Sequence, residues 1–315
     1  MPPTIKPETT FCRVPFCDDL ASLSPRTTDV AVFGAPHGTP YTPGVPSHAA
    51  AGAAAMRRAL SWYSTGPDQF DFDTMTPVFG GRRVVDCGDV GGSLTEGSEN
   101  RAAIQKTTAA VLDNGCLPVL LGGDDSTPIP FIEGYGDHSQ SLCVVQVDAH
   151  IDWRNDIEGV THGFSSTMRR VSEMSHVTSI IQIGARGPGS ARRSDLVDAT
   201  AWGVQFFTGR DVSTGGVQAA IDAVPDASDV VLAIDVDGLD PALVPGVILP
   251  AFGGISYQQM LDIIQGIAAK ANIVGADFVE YVPEKDPTGT GAQAIARLAS
   301  NVIAQMGTSP EALQE

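Results

Sequence analysis

A three-layer αβα sandwich around a central, mostly parallel sheet of about eight strands is the α/β fold class that this 315-residue sequence predicts. Three observations predict it. Short, apolar, β-branched runs alternate with helix-like stretches along the chain. The runs are continuously apolar instead of alternating with polar residues, as expected of parallel strands covered on both faces. No composition shift, linker or internal repeat divides the chain.

In chain order, residues 1–25 form a proline-rich arm without periodicity, expected to be loosely structured, and residues 26–315 form one domain. Its first strand is "DVAVFGAP" at 29, followed by a helix in "AAAGAAAMRRALSW" from 49. The strand "RRVVDCGDV" at 82 precedes the helix "ENRAAIQKTTAAVLDNG" from 99. Strands "LPVLLGGDD" at 117, "SLCVVQVDAH" at 141, "TSIIQIGAR" at 178 and "WGVQFF" at 202 follow, then the helix "TGGVQAAIDAV" from 214. The strand "DVVLAIDVDG" at 229, the helix "SYQQMLDIIQGIAAK" from 256, the strand "ANIVGADFVE" at 271 and the helix "GAQAIARLASNVIAQM" from 291 complete the pattern.

Composition narrows the function classes. Hydrophobic residues make up 43% and charged residues 18%, and no apolar run reaches the ~20 residues of a membrane span. The N-terminus lacks the basic start and apolar stretch of a secretory signal, and the five scattered cysteines read as reduced, so a cytoplasmic location is expected. A formal charge of −18 argues against a nucleic-acid partner, since phosphate binding needs clustered Lys and Arg; cationic ligands are favoured.

In parallel sheets the ligand site lies beyond the carboxyl ends of the strands. The residues following the apolar runs here include His37, Asp124, Asp125, Asp148, His150, Asp152, Arg186, Asp235, Asp237, Asp240 and Glu280. "DAHID" sets Asp148, His150 and Asp152 at alternate positions, and "DVDGLD" does the same with Asp235 and Asp237. One D-x-D alone reads as a turn or helix cap. Together, five such groups at strand ends would repel one another unless cations neutralised them, and oxygen ligands with one imidazole suit Mn²⁺ or a related divalent ion.

These motifs, with "GAPHGTPYTPG", "GGDDS", "THG", "QIGARG", "AIDVDGLDPALVPG" and "GADFVEYVP" in order over residues 29 to 304, resemble the ureohydrolase (arginase/agmatinase) family, closest to its agmatinase and guanidino-acid hydrolase branch. The resemblance implies two divalent metal ions, Mn²⁺ or alternatively Ni²⁺, held by Asp125, Asp148, His150, Asp152, Asp235 and Asp237, with Asp148 and Asp235 bridging. It implies metal-activated hydroxide as nucleophile and cleavage of a guanidino C–N bond to urea and an amine. It further implies that Glu280 pairs with a cationic guanidino substrate, that His162 serves as proton relay or substrate contact, that Asp152 takes part in catalysis, and that the chain assembles as a homo-trimer or hexamer. Such activity needs a strong nucleophile at neutral pH, because a guanidinium is resonance-stabilised, and metal ions supply one by lowering the pKa of water.

Three departures modify the expectation. Asp125 stands where the family motif GGDHS has its histidine ligand, making the centre one unit more negative and lowering its Lewis acidity. In "PGVILPAFGG", Val247, Ile248 and Leu249 make a usually polar loop apolar, which favours a less polar substrate such as an alkylated guanidine. "YTPGVPSHAAAG" lacks the arginine and Gly-Pro usual in the family, and the loop from Trp153 to Thr161 lacks the Ser/Asn-rich segment of an arginase. Agmatine, a guanidino acid or a small substituted guanidine therefore fits better than arginine. Two alternatives stay open: a non-catalytic subunit supporting a paralogue, and a nickel-dependent alkylguanidine or biguanide hydrolase.

Overall fold

The computed structural model describes residues 4–60, 68–188 and 191–307. Its strands, in chain order, are β1 (Thr4–Ile5), β2 (Val30–Ala35), β3 (Phe70–Asp71), β4 (Thr76–Pro77), β5 (Val84–Val90), β6 (Leu117–Gly122), β7 (Leu142–Val147), β8 (Val177–Ile183), β9 (Gln205–Phe207), β10 (Asp229–Asp235) and β11 (Asn272–Val279). All eight apolar runs become strands of one sheet, ordered β1-β5-β2-β6-β11-β10-β7-β8-β9. Every pairing in it is parallel except β1 with β5. The ninth strand is β1, a two-residue edge strand in the arm, too short for periodicity to reveal. Strands β3 and β4 form a separate hairpin.

The five expected helices are present as α1 (Gly52–Ala59), α2 (Gly97–Asp113), α7 (Gln218–Ala223), α8 (Tyr257–Ala268) and α9 (Thr290–Gln305). Between them in the chain lie α3 (Pro128–Glu133), α4 (Thr167–Val171), α5 (Arg193–Trp202) and α6 (Gly209–Gly215). The first helical stretch of the sequence runs on to residue 62, and its last two residues lie outside the described ones. Helix α8 shows why such stretches fold: Ser256 and Gln259 cap its first turn reciprocally, and Met260, Leu261, Ile263, Ile264 and Ile267 place one apolar stripe on the sheet. Buried side chains from α1, α8 and α9 form one core on one face, and those from α2, α3 and α4 form a second on the other. These are the three layers expected.

The arm is not loose against this body. Phe11, Cys12 and Val14 are buried in the first core, and Asp86 of β5 accepts the Phe11 N–H at 2.7 Å. The backbone of Pro15 and Cys17 bonds Asp86 on both sides. The same Asp86 carboxylate receives Nε and Nη2 of the buried Arg57 at 2.8 and 3.0 Å, and Asp89 takes its Nη1. One ion cluster therefore joins arm, helix α1 and strand β5.

The strand order brings the site together. β6, β11, β10 and β7 are neighbours, so Asp235, the last residue of β10, and the segments after β6, β11 and β7, carrying Asp125, Glu280 and Asp148, lie side by side at the sheet's carboxyl edge.

Candidate metal centre

Two groups of side chains meet at that edge. Asp125, Asp148, Asp152 and Asp235 each offer an oxygen within 4.8 Å of the others, and Asp148, His150 and Asp237 form a second group by the same measure. Asp148 belongs to both. All six ligand candidates are thus gathered, and the two sets share the Asp148 carboxylate.

Local backbone explains how each is aimed. The Asp148 carboxylate accepts the His150 N–H at 2.6 Å and the Gln146 amide at 2.6 Å, and Gln146 is itself held by Gln182. Asp235 accepts the Asp237 N–H at 2.8 Å, and Asp237 accepts the Ala149 N–H at 3.1 Å. His150 Nδ1 lies 3.1 Å from Asp237 and 3.4 Å from Asp148. Asp152 and Glu280 both adopt left-handed backbone, with φ of 41° and 68°. A glutamate there is strained, a cost concentrated at functional sites.

The paired aspartates of "GGDDS" divide their tasks. Asp124 is a structural turn residue: its Oδ1 accepts the Ser126 hydroxyl at 2.5 Å and the Ser126 N–H at 3.1 Å, with both carboxylate oxygens packed against Gly38, where any Cβ would collide with them. Asp125 instead points into the centre, and its Oδ2 is buried without a hydrogen-bond partner. A buried orphan oxygen beside three other carboxylates is costly unless a cation or proton satisfies it. That oxygen and the donor set fit a pair of hard divalent cations.

Electrostatics agree. Burial, with neighbouring carboxylates, pushes Asp125, Asp152 and Asp235 well above the usual carboxylate range. Burial opposes ionisation of Asp148 also, but His150 holds it below that range. His150, against burial, is pushed up to about 11 by Asp148 and Asp237. Without a cation, burial thus favours the neutral form of Asp125, Asp152 and Asp235, while the His150–Asp148 pair favours the charged one.

Glu280 lies at the side of this centre. It lines, with Asp125, His150, Asp152, Phe164, Ser165, Asp235, Asp237, Ile248 and Leu249, a cavity of about 30 Å³. Ile248 and Leu249 thus give it the apolar wall expected, while Val247 is packed in the core. Glu280 is bound by His48, whose Nε2 is 2.5 Å from Oε2. Sequence reading missed His48; the only signal was a histidine in the unusual "YTPGVPSHAAAG" segment. A second cavity, of about 240 Å³, adjoins and is lined by His37, Tyr41, His48, Leu94 and Phe164 among others.

One expected residue needs correcting. His162 does not line the acidic cavity; it bonds Thr161 Oγ1 through Nδ1 at 2.8 Å and borders a separate surface cleft with Glu133, Arg170 and Glu173. The loop after Asp152 turns Phe164 and Ser165 inward instead. Among the described residues, the Arg186 guanidinium bonds carbonyls and no carboxylate: those of Gly184, Asp237, Gly238, Leu239 and Ala251, which hold the segment after β10 in place. Trp153 is core, donating to Asp198, whereas Tyr41 lines the larger cavity.

The chain is similar to known proteins. The model of the arginase family matches residues 28–306. A guanidinobutyrase of Pseudomonas aeruginosa is 27% identical, covering 75% of this chain and 74% of its own. A mitochondrial agmatinase of Gallus gallus is 28% identical, covering 88% and 80%. The solved structure of proclavaminate amidino hydrolase from Streptomyces clavuligerus superposes with a TM-score of 0.82 over 94% of this chain and 96% of that one, at 24% identity, which bears on the fold.

Proposed function

The chain belongs to the arginase family, and on that premise we propose that it is a dinuclear-metal hydrolase that cleaves a C–N bond of a guanidino compound, giving urea and an amine. The observation that carries this reading is the six-residue cluster with a shared Asp148 and an unsatisfied Asp125 oxygen. Asp125, Asp148, Asp152 and Asp235 would hold one cation, and Asp148, His150, Asp235 and Asp237 the other, Mn²⁺ being preferred and Ni²⁺ the alternative. When bound, two divalent cations supply the acidified water that a guanidinium requires as nucleophile.

The protein's own groups do the rest. Glu280 holds the guanidinium through charge-assisted hydrogen bonds, with the acceptor capacity its two partners leave. Asp152, which lines the cavity beside Asp125 and Glu280, would accept the proton lost by the attacking water on an oxygen not committed to a cation and pass it to the leaving amine as the C–N bond breaks. Ile248, Leu249 and Phe164 give the cavity its apolar side and favour a guanidine with a short, weakly polar substituent. Support for a guanidino compound over other amidines comes from the relatives named guanidinobutyrase and agmatinase.

We further place residues 26–315 in one ureohydrolase domain after an N-terminal arm, in a cytoplasmic homo-trimer or hexamer, with a paralogous partner as an option. Among the described residues, no helix is long and apolar enough to cross a membrane.

Metal analysis of protein loaded with Mn²⁺ or Ni²⁺, followed by a urea-release screen over agmatine, guanidino acids and alkylguanidines, tests the proposal. Near two metals per chain with urea from at least one compound is expected. One metal or none under both ions, without turnover, would favour the supporting-subunit alternative.

A further inference from the structure

Glu280 does not present an open carboxylate. Its Oε1 accepts the Asp125 N–H at 2.8 Å, and its Oε2 lies 2.5 Å from His48 Nε2. Both oxygens are therefore tethered before any ligand arrives, one by backbone and one by a ring.

That ring is fixed in turn. His48 stands edge-on to Phe164, with centroids 5.3 Å apart and planes at 86°, and Phe164 stands edge-on to Tyr41 at 4.7 Å. The Tyr41 hydroxyl accepts the Ser165 N–H at 3.0 Å. Gly163 permits the approach, since a Cβ there would collide with the Tyr41 ring. Two loops, residues 36–50 and 161–165, thus lock together through three rings ending on Glu280.

The row of rings runs along the boundary between the two cavities. Phe164 lines both, His48 lines the larger, and Glu280 lines the smaller. The smaller, about 30 Å³, has room for roughly two water-sized bodies. A guanidino substrate is too large for the smaller cavity as a whole, and the larger cavity beside the His48–Glu280 junction offers room for its substituent. His48 belongs to neither ligand group.

We propose that His48 is a positioning residue for guanidinium binding: its Nε2–H holds the Glu280 carboxylate at the junction of the two cavities and so sets affinity for the guanidinium end of the substrate. This rests on the reading of Glu280 as the guanidinium partner. An ionised carboxylate has about four lone-pair sites, so after bonding Asp125 and His48 it keeps about two for a guanidinium. Without the His48 tether, a flexible side chain must be ordered each time ligand binds, and affinity falls.

The test uses Mn²⁺-loaded full-length protein and two variants, His48→Ala and His48→Gln, the latter retaining a side-chain N–H with similar reach. Calorimetry with agmatine, 4-guanidinobutyrate, methylguanidine and guanidinium chloride reads binding, urea release reads turnover, and elemental analysis reads metal content. His48→Ala should raise Kd and KM roughly tenfold, the scale of losing a charge-assisted hydrogen bond, with kcat and metal content nearly unchanged. His48→Gln should recover most of that loss. Unchanged or tighter binding by His48→Ala, equal losses in both variants, or loss of metal with lowered kcat would overturn the assignment. If the wild-type protein binds none of the four compounds, the guanidino reading falls with it; if wild type binds and the variants match it, only the role of His48 falls.

Discussion

At the scale of single residues, Asp125 decides most. Its side chain is shorter than histidine, yet it reaches the cluster, and its unpartnered oxygen is the observation on which its proposed role as a ligand rests. Asp148→Ala and Asp235→Ala should each abolish metal binding and turnover together, as measured by metal content and urea release; normal activity in either would remove the centre from the mechanism. Asp125→His introduces the histidine that the sequence motif leads us to expect at this position. If the surroundings are built around the carboxylate, whose oxygen lies within 4.8 Å of oxygens of Asp148, Asp152 and Asp235, this variant should lose metal affinity; a gain would identify Asp125 as a compromised ligand. His162→Ala should leave kcat/KM near wild type, because its ring faces another cleft. A collapse of turnover with the metals retained would restore the proton-relay or substrate-contact role expected from the sequence.

At the scale of elements, the buried cluster of Arg57, Asp86 and Asp89 joins α1, β5 and the arm. Removing one partner of a buried ion cluster strands the rest, so Arg57→Ala should destabilise the fold by about 3–5 kcal/mol in denaturant titration. A loss within the range of an exposed surface pair would show that water reaches the site. The strands are legible because each is a continuous apolar run, and the long helices because their apolar residues recur with helical spacing. Helices α3 and α4 carry no such signal because they are barely more than a turn long, and β1 because two residues make no pattern. Helix α5 is longer but buries only Ala199, so it has no apolar stripe to read.

At the scale of the whole molecule, the acidic centre links stability to pH and metal. Asp125, Asp152 and Asp235 bind protons more tightly folded than unfolded, so without metal their contribution to stability is greatest below the unfolded carboxylate range and falls as pH rises toward their raised values. Cations need those groups ionised and displace the protons, so the rise in Tm on adding Mn²⁺ should grow between about pH 5 and 8. Calorimetric scans with and without Mn²⁺ check this; a rise independent of pH would mean that the cation binds elsewhere. By itself the sequence determined the three-layer fold, the crowding of acidic groups at strand ends and the family, because apolar periodicity and ordered local motifs are properties of neighbouring residues. Tertiary structure decided what depends on residues far apart in the chain: that Asp125 joins Asp148, Asp152 and Asp235 while Asp124 turns to Ser126, that His162 faces outward, and that His48 crosses 232 positions to hold Glu280. No local pattern encodes those contacts. They follow from the order in which the parallel strands are laid down, which sets which loops meet at the sheet's edge.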